Sequence, residues 1–236
     1  IMALAKKYNL FVVEDAAQAV HSFYKGKPLG SIGHLAAFSF HETKNIISGE
    51  GGMLVINDEQ FIARAEIIRE KGTNRSQFFR GEIDKYNWVD IGSSFLPSEI
   101  IAAFLYAQLE NLEQIQAKRR HIWESYFELL KPLEIKGLLQ LPYLPDYATN
   151  NAHIFYILLP TANNRQKVID ALKLKGILAV FHYLSLHKSP YYFQKHDGRA
   201  LPQSDRYTET LLRLPLFFEL EPRDIAEIGR LIGETV

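Results

Sequence analysis

Phe38-Ser39-Phe40-His41-Glu42-Thr43-Lys44-Asn45, with Gly49-Glu50-Gly51-Gly52 close behind it, is the stretch on which the reading of this chain turns. Upstream, the apolar run Leu10-Phe11-Val12-Val13 closes on Glu14-Asp15-Ala16-Ala17-Gln18. A continuous apolar run of this kind predicts a strand over Leu10–Glu14, buried on both faces of a parallel sheet. Ala36–Phe40 and Gly52–Ile56 read as two further strands, with Asn57-Asp58 as the turn that ends the second. One strand therefore delivers an acid at its carboxyl end, which is where open α/β sheets bind ligands. Another delivers a serine and, just past its end, a lysine. Burial and a neighbouring cation would lower the pKa of such a lysine and free its amine.

An amine, an acid and a hydroxyl so placed are what a pyridoxal phosphate (PLP) site requires: the lysine forms the Schiff base and the acid pairs with the protonated pyridine nitrogen. Each residue also has an ordinary reading. A lone lysine is usually a solvated surface residue, a strand-end Asp is commonly a helix cap, and a single Ser says little. Glu14 reads as structural. Gly49-Glu50-Gly51-Gly52 lacks the Lys-Ser/Thr of a phosphate-binding P-loop and opens no helix, so its glycines read as tight turning.

Together with Glu70-Lys71-Gly72-Thr73-Asn74-Arg75-Ser76-Gln77-Phe78-Phe79-Arg80-Gly81, Asp90-Ile91-Gly92-Ser93-Ser94 and Leu211-Leu212-Arg213-Leu214-Pro215-Leu216-Phe217, these blocks resemble the DegT/DnrJ/EryC1/StrS sugar aminotransferases almost end to end. Within that family they look most like the TDP-4-keto-6-deoxyglucose transaminases. The resemblance implies a fold-type-I PLP-dependent transferase of the α/β class: a truncated, mostly parallel-sheet large domain over 1–118 and a small α+β domain over 119–236. It implies Lys44 as the catalytic lysine and Asp15, Gln18, Ser39, Lys44 and Ser94 as cofactor contacts, with Ser39 on the phosphate and Gln18 against the ring. Ser94 is a departure, since many members have an Asn there that reaches the neighbouring subunit's phosphate, and an Arg where this chain has Leu96. The implied partner is therefore a second copy, a homodimer with shared active sites. Arg75, Arg80 and Lys85 read either as local cations for a nucleotide diphosphate or a donor carboxylate or as charges of a solvated loop, and His153, Tyr183 and His187 fall where the family's small domain faces the sugar. His41 and Asn45 are candidates for supporting contacts. The implied reaction moves an amino group from L-glutamate to C4 of a TDP-4-keto-6-deoxyhexose for surface polysaccharide synthesis. The competing reading is a non-catalytic fragment that folds or dimerises without turnover. A dehydratase on the same cofactor would lack the Schiff-base lysine, and Lys44 speaks against it.

Composition sets the outer bounds. The 236 residues are 47% hydrophobic, enough for a sizeable core. Lys+Arg and Asp+Glu stand at 27 each, so no global field draws nucleic acid or an anionic membrane. With no cysteine, disulfides and thiolate metal sites are excluded. No histidine cluster has metal spacing, so no metal is expected. No apolar run has transmembrane length and no signal peptide opens the chain, making cytoplasmic the default.

Ile1-Met2-Ala3-Leu4-Ala5-Lys6-Lys7-Tyr8 reads as an amphipathic helix already under way, without an N-cap. Family members carry a long segment before this point, and the expectation is that 1–236 alone binds PLP weakly and is not an active monomer. Downstream, Tyr24–Gly30 is turn chemistry and predicts a surface hairpin or loop, Glu59–Lys71 a helix stopped by Gly72, and Gly72–Ser94 a long loop. A helix from Ser98, marked by Pro97, carries the stripe Ile101, Phe104, Leu105, Gln108, Leu112 and Ile115 and continues to Leu130. His153–Leu159 and Ile177–Tyr183 predict strands around an Asn164–Lys175 helix, and Pro222–Glu234 a closing amphipathic helix.

Overall fold

In the computed structural model, which describes residues 1–236, strand β4 (Leu35–Ser39) is the middle of a three-stranded mixed sheet. It pairs in parallel with β1 (Val13–Asp15), which follows helix α1 (Met2–Tyr8), and antiparallel with β5 (Gly52–Ile56). The ladder places Asp15 beside Ala37 and Ala37 beside Leu54, with Ser39 opposite Gly52. Strand β1 is shorter than Leu10–Glu14, because the Val12 N–H goes to the His34 imidazole at 2.9 Å instead of to a neighbouring strand. Nor is it buried on both faces: Ala36 on one side of the sheet is fully buried, whereas Val13 and Leu54 on the Asp15 side are 63% and 53% exposed.

Glu14 points to the Ala36 side and accepts the N–H groups of Gly30, Ile32 and Gly33 at 2.8, 2.7 and 2.6 Å. Strand β2 (Phe23–Tyr24) and β3 (Lys27–Pro28) pair antiparallel, so of the two readings, hairpin or loop, this stretch is a hairpin. Lys25 and Gly26 turn it in the left-handed region, φ 50° and 76°, which matches the right-handed twist of the strands. A strap at 146–151 returns to this unit and runs antiparallel to β2, with Thr149 N–H donating to the Phe23 carbonyl at 3.0 Å.

The predicted helix at 59–71 divides into a 3₁₀ turn, Glu59–Phe61, capped by Asp58, and helix α2 (Ile62–Arg69). The loop 72–94 contains one short helix, α3 (Arg75–Phe79). Gly72 lies at φ +77°, and a Cβ there would fall on the Asp90 carbonyl oxygen; only glycine allows that approach. Helix α4 (Glu99–Glu110) starts on Ser98, whose Oγ accepts the Ile101 N–H, and stops at Asn111 before α5 (Leu112–Ile135). None of its residues is buried.

These elements up to Gln114, with Asp146–Asn151, form one unit, and Ile115–Pro145 with Ala152–Val236 form the other. The second unit closes a two-stranded antiparallel sheet, β6 (Phe155–Leu158) with β7 (Leu211–Leu214), under helices α5, α6 (Ala162–Lys173), α7 (Pro202–Thr210) and α8 (Pro222–Thr235). Tyr126, Phe155, Ile157, Leu172, Leu212 and Ile232 are wholly buried at its centre. Ile177–Tyr183 is not a strand: only Val180 pairs, exchanging two bonds with Arg213 at 3.1 and 2.7 Å.

Candidate functional site

Asp15 and Ser39 stand on the same open side of the first unit's sheet. Asp15 is in register with Ala37, and Ser39 lies two residues further along β4, so it shares that face. From strand spacing and rise their Cα atoms are about 8 Å apart. The Asp15 Oδ1 accepts the Ala17 N–H at 3.1 Å, and its side chain is solvent-accessible. Immediately beyond, Ala19 N–H bonds the Ala16 carbonyl at 2.9 Å, making the tight turn that carries exposed Gln18.

Lys44 sits in the loop that joins β4 to β5. The ladder continues into that loop through Phe40 N–H to Gly51 O at 2.8 Å and Glu42 N–H to Gly49 O at 2.9 Å. Gly49 turns it at φ +79°. Ser48 is buried and donates from Oγ to the carbonyls of Phe40 and Glu50. The Lys44 N–H donates to the His41 carbonyl at 2.9 Å. His41 accepts the Thr43 N–H on Nδ1 at 3.2 Å and places Nε2 3.6 Å from the Glu50 carboxylate. The two residues after Lys44 are anchors: Ile46 is fully buried, and buried Asn45 donates from Nδ2 to the Asn151 carbonyl at 2.7 Å. Lys44 itself is half-buried. A short, braced loop thus carries a long flexible amine.

Asn151 is the residue that sequence reasoning missed. It is buried and its Nδ2 donates to the carbonyls of Gln18 and Val20 at 2.7 and 2.9 Å. An asparagine ahead of an apolar strand carries no local signal of that role, since its partners lie more than a hundred residues away.

The other candidates are placed as follows. Ser94 is exposed and bridges Glu70. Arg75 lies with its guanidinium over the Phe79 ring, 4.9 Å from its centroid. Arg80 is shared between Glu66 at 2.9 Å and Glu82 at 2.6 Å, and hydrogen bonds to Glu82 and Glu66 hold its pKa well above the usual range. In the second unit, the His153 carbonyl accepts from Arg119 at 2.8 Å. Tyr183 is 77% exposed, and His187 Nε2 is 3.0 Å from Asp205, which Lys188 also pairs at 2.8 Å. Hydrogen bonding to Lys188, with the charges of Lys188 and His187, holds the Asp205 carboxyl below its ordinary range. No group of three or more His, Asp or Glu side chains has a metal-holding arrangement. No helix is long and apolar enough to cross a membrane.

A carboxylate and a hydroxyl on one accessible sheet face, with an amine on the loop beyond, suit a group that has a basic ring nitrogen, a phosphate and an aldehyde. The donor set fits PLP.

Comparison with known proteins agrees with this chemistry. Residues 1–232 match the DegT/DnrJ/EryC1/StrS aminotransferase family. An uncharacterized protein of Methanocaldococcus jannaschii is 30% identical over 247 residues, covering 100% of this chain and 62% of that protein. Among solved structures, an aminotransferase from Psychrobacter cryohalolentis superposes with a TM-score of 0.89 at 26% identity, covering 99% of this chain and 63% of that one. Helicobacter pylori PseC, an aminotransferase in pseudoaminic acid biosynthesis, gives 0.87 at 25% identity over 100% of this chain and 62% of that one. A Brucella abortus aminotransferase of the family gives 0.83 at 28% identity, with 99% and 59% covered. The chain thus spans about three fifths of these relatives. Aminotransferases of the family use PLP, and their architecture is the fold-type-I PLP-dependent transferase fold. A match along nearly the whole sequence, on a superposable fold, makes this chain a member of the DegT/DnrJ/EryC1/StrS aminotransferase family.

Proposed function

We propose that this chain holds the lysine-bearing part of a PLP-dependent sugar aminotransferase that passes an amino group from L-glutamate to C4 of a TDP-4-keto-6-deoxyhexose. The observation that carries the reading is the shared face of Asp15 and Ser39 with Lys44 on the adjoining hairpin loop. When bound, the cofactor supplies an electron sink for charge developing at the substrate carbon. Lys44 tethers it and, once its amine is free, moves a proton at that carbon as general acid and base. Asp15 holds a proton on the ring nitrogen through its negative charge, the interaction that counts most as charge develops. Ser39 donates its hydroxyl to a phosphate oxygen. Gln18 contributes an amide beside the ring. Arg75 and Arg80 supply positive charge for the anionic donor or nucleotide, with Arg80 exchanging one of its carboxylate partners to do so. His153, Tyr183 and His187 are proposed to contact the sugar.

The surface around Ser94 supports a homodimer with shared sites. Trp88, Ile91, Phe95 and Ile100 are 76%, 84%, 64% and 83% exposed, an apolar concentration that marks an interaction surface. A second reading, a chain that folds without turnover, is favoured by the exposed Val13 and Leu54 on the face that bears Asp15. The deciding experiment supplies PLP, L-glutamate and a panel of 4-keto nucleotide sugars and follows 2-oxoglutarate and the amino sugar together. Stoichiometric formation of both, lost in Lys44→Ala, supports the transaminase. Absence of both in a folded wild-type chain that also fails to take up PLP at Lys44 supports the second reading.

A further inference from the structure

Asn45 and Asn151 are buried side-chain amides that touch two functional segments far apart in sequence. Asn45 follows Lys44 directly and donates to the Asn151 carbonyl. Asn151 donates in turn to the carbonyls of Gln18 and Val20, on the turn that follows Asp15. Their relative exposures are 7% and 6%. The strap ending at Asn151 is itself fixed: Phe23 N–H donates to Thr149 Oγ1 at 2.8 Å, and Lys25 N–H to the Tyr147 carbonyl at 2.6 Å. The hairpin, the Gln18 turn and the Lys44 loop are thereby referred to one backbone segment.

Such an arrangement has more than a packing consequence. An exposed loop could satisfy its backbone with water, and a buried methyl would fill the same space. Here two amides are spent on main-chain carbonyls whose positions set where Lys44 and Gln18 point. Removing a buried donor leaves its carbonyl partner desolvated and unmet, and the loop it held can relax. We propose that Asn45 and Asn151 are positioning residues, a buried two-amide latch that holds the Lys44 loop and the Gln18 turn in one register. The latch rests on the reading that Lys44 is the reacting amine. Asn45 governs the amine's reach; Asn151 governs the turn beside Asp15 and presents the carbonyl on which Asn45 closes.

The test uses the 236-residue chain and two readouts. Amide hydrogen exchange reports the latch, and borohydride trapping of PLP, located by peptide mass, reports the amine. Asn45→Leu keeps the volume but removes the donor; amides at 42–48 should exchange about tenfold faster with those at 16–22 little changed. Asn151→Ala should show the reverse pattern. The rate of PLP trapping at Lys44 should fall about tenfold in Asn45→Leu. Ile157→Val, a buried change in the other unit, should lower stability without altering that rate. If leucine prevents folding, Asn45→Ala supplies the same comparison. Unchanged local exchange, or uniform acceleration across the chain, with Lys44 still trapped at the wild-type rate would overturn the latch alone. Trapping of PLP at a different lysine in the wild-type chain would overturn the reading of the site and the latch's role with it.

Discussion

Replacing Glu14 should unfasten the edge of the sheet from which Asp15 projects. Its carboxylate is the shared acceptor of three backbone donors, Gly30 on one oxygen and Ile32 and Gly33 on the other. Gly30 and Gly33 are buried, so their N–H groups have little recourse to water. A hydrogen bond to a charged acceptor is worth about 1.5 kcal/mol or more in a protected site. Glu14 is only half-buried, so about 1 kcal/mol each is the better figure, and Glu14→Ala should cost about 3 kcal/mol. Glu14→Gln keeps one acceptor oxygen for two donors and sets an amide against the third, for about 1–2 kcal/mol. Partial burial pushes the Glu14 carboxyl up, but the three N–H bonds outweigh it and hold its pKa below the usual 4.5. A depressed carboxylate stabilises the folded state fully above its unfolded pKa and loses that contribution as pH falls through the folded one. The difference between wild type and Glu14→Ala should thus be constant from pH 8 to about 5 and shrink below about 4. Amide exchange at Gly30, Ile32 and Gly33, measured across that range, reads this unit directly. A difference under about 0.5 kcal/mol, or one that does not shrink in acid, would refute the reasoning.

Gly72→Ala sets a methyl against the Asp90 carbonyl in a left-handed backbone and should cost at least about 2 kcal/mol. Gly137→Ala, at φ +73° with nothing within 4 Å, should cost only about 1 kcal/mol; paired thermal melts compare the two. Tyr126 is fully buried and donates to the Pro215 carbonyl at 3.0 Å, so Tyr126→Phe should cost about 1 kcal/mol in urea unfolding. Burial, with the charge of Asp224, holds the Tyr126 hydroxyl well above its ordinary pKa, so wild-type stability should fall as pH rises past about 10, where the phenol of the unfolded chain ionises first, and Tyr126→Phe should lack that part of the fall. Asp15→Ala should lower the rate of amino transfer about a hundredfold while changing PLP occupancy far less; an unchanged kcat would return Asp15 to a structural role.

What the sequence made legible was local. Glycine at 26 announced the turn between β2 and β3, the apolar run at 52–56 closed by Asn57-Asp58 its strand, and the apolar period at 222–234 the last helix, because each of these is decided by neighbours within a few positions. Reading failed where a distant partner decides. The apolar character of Leu10 and Phe11 could not reveal that His34 takes the Val12 N–H and delays the ladder. Ile177–Tyr183 has strand composition, but only Val180 meets β7, at Arg213, which pairs on its other edge with Tyr156 of β6; the neighbours of Val180 make no ladder. Helix α7 has only Pro202 and Tyr207 among its nine residues to mark an apolar face, and it was not read from the sequence. Within the site, Lys44, Asp15 and Ser39 were legible from chemistry at strand ends. Asn151 was not, because only the folded chain brings it beneath the carbonyls of Gln18 and Val20.

The most direct test of the central claim is to incubate the chain with PLP, reduce with borohydride, digest, and find which lysine gains the pyridoxyl mass. The account predicts modification at Lys44 ahead of the other lysines, with loss of the visible absorbance band on reduction and no such band in Lys44→Ala. Modification spread over surface lysines, or a Lys44→Ala chain that keeps the band, would contradict it.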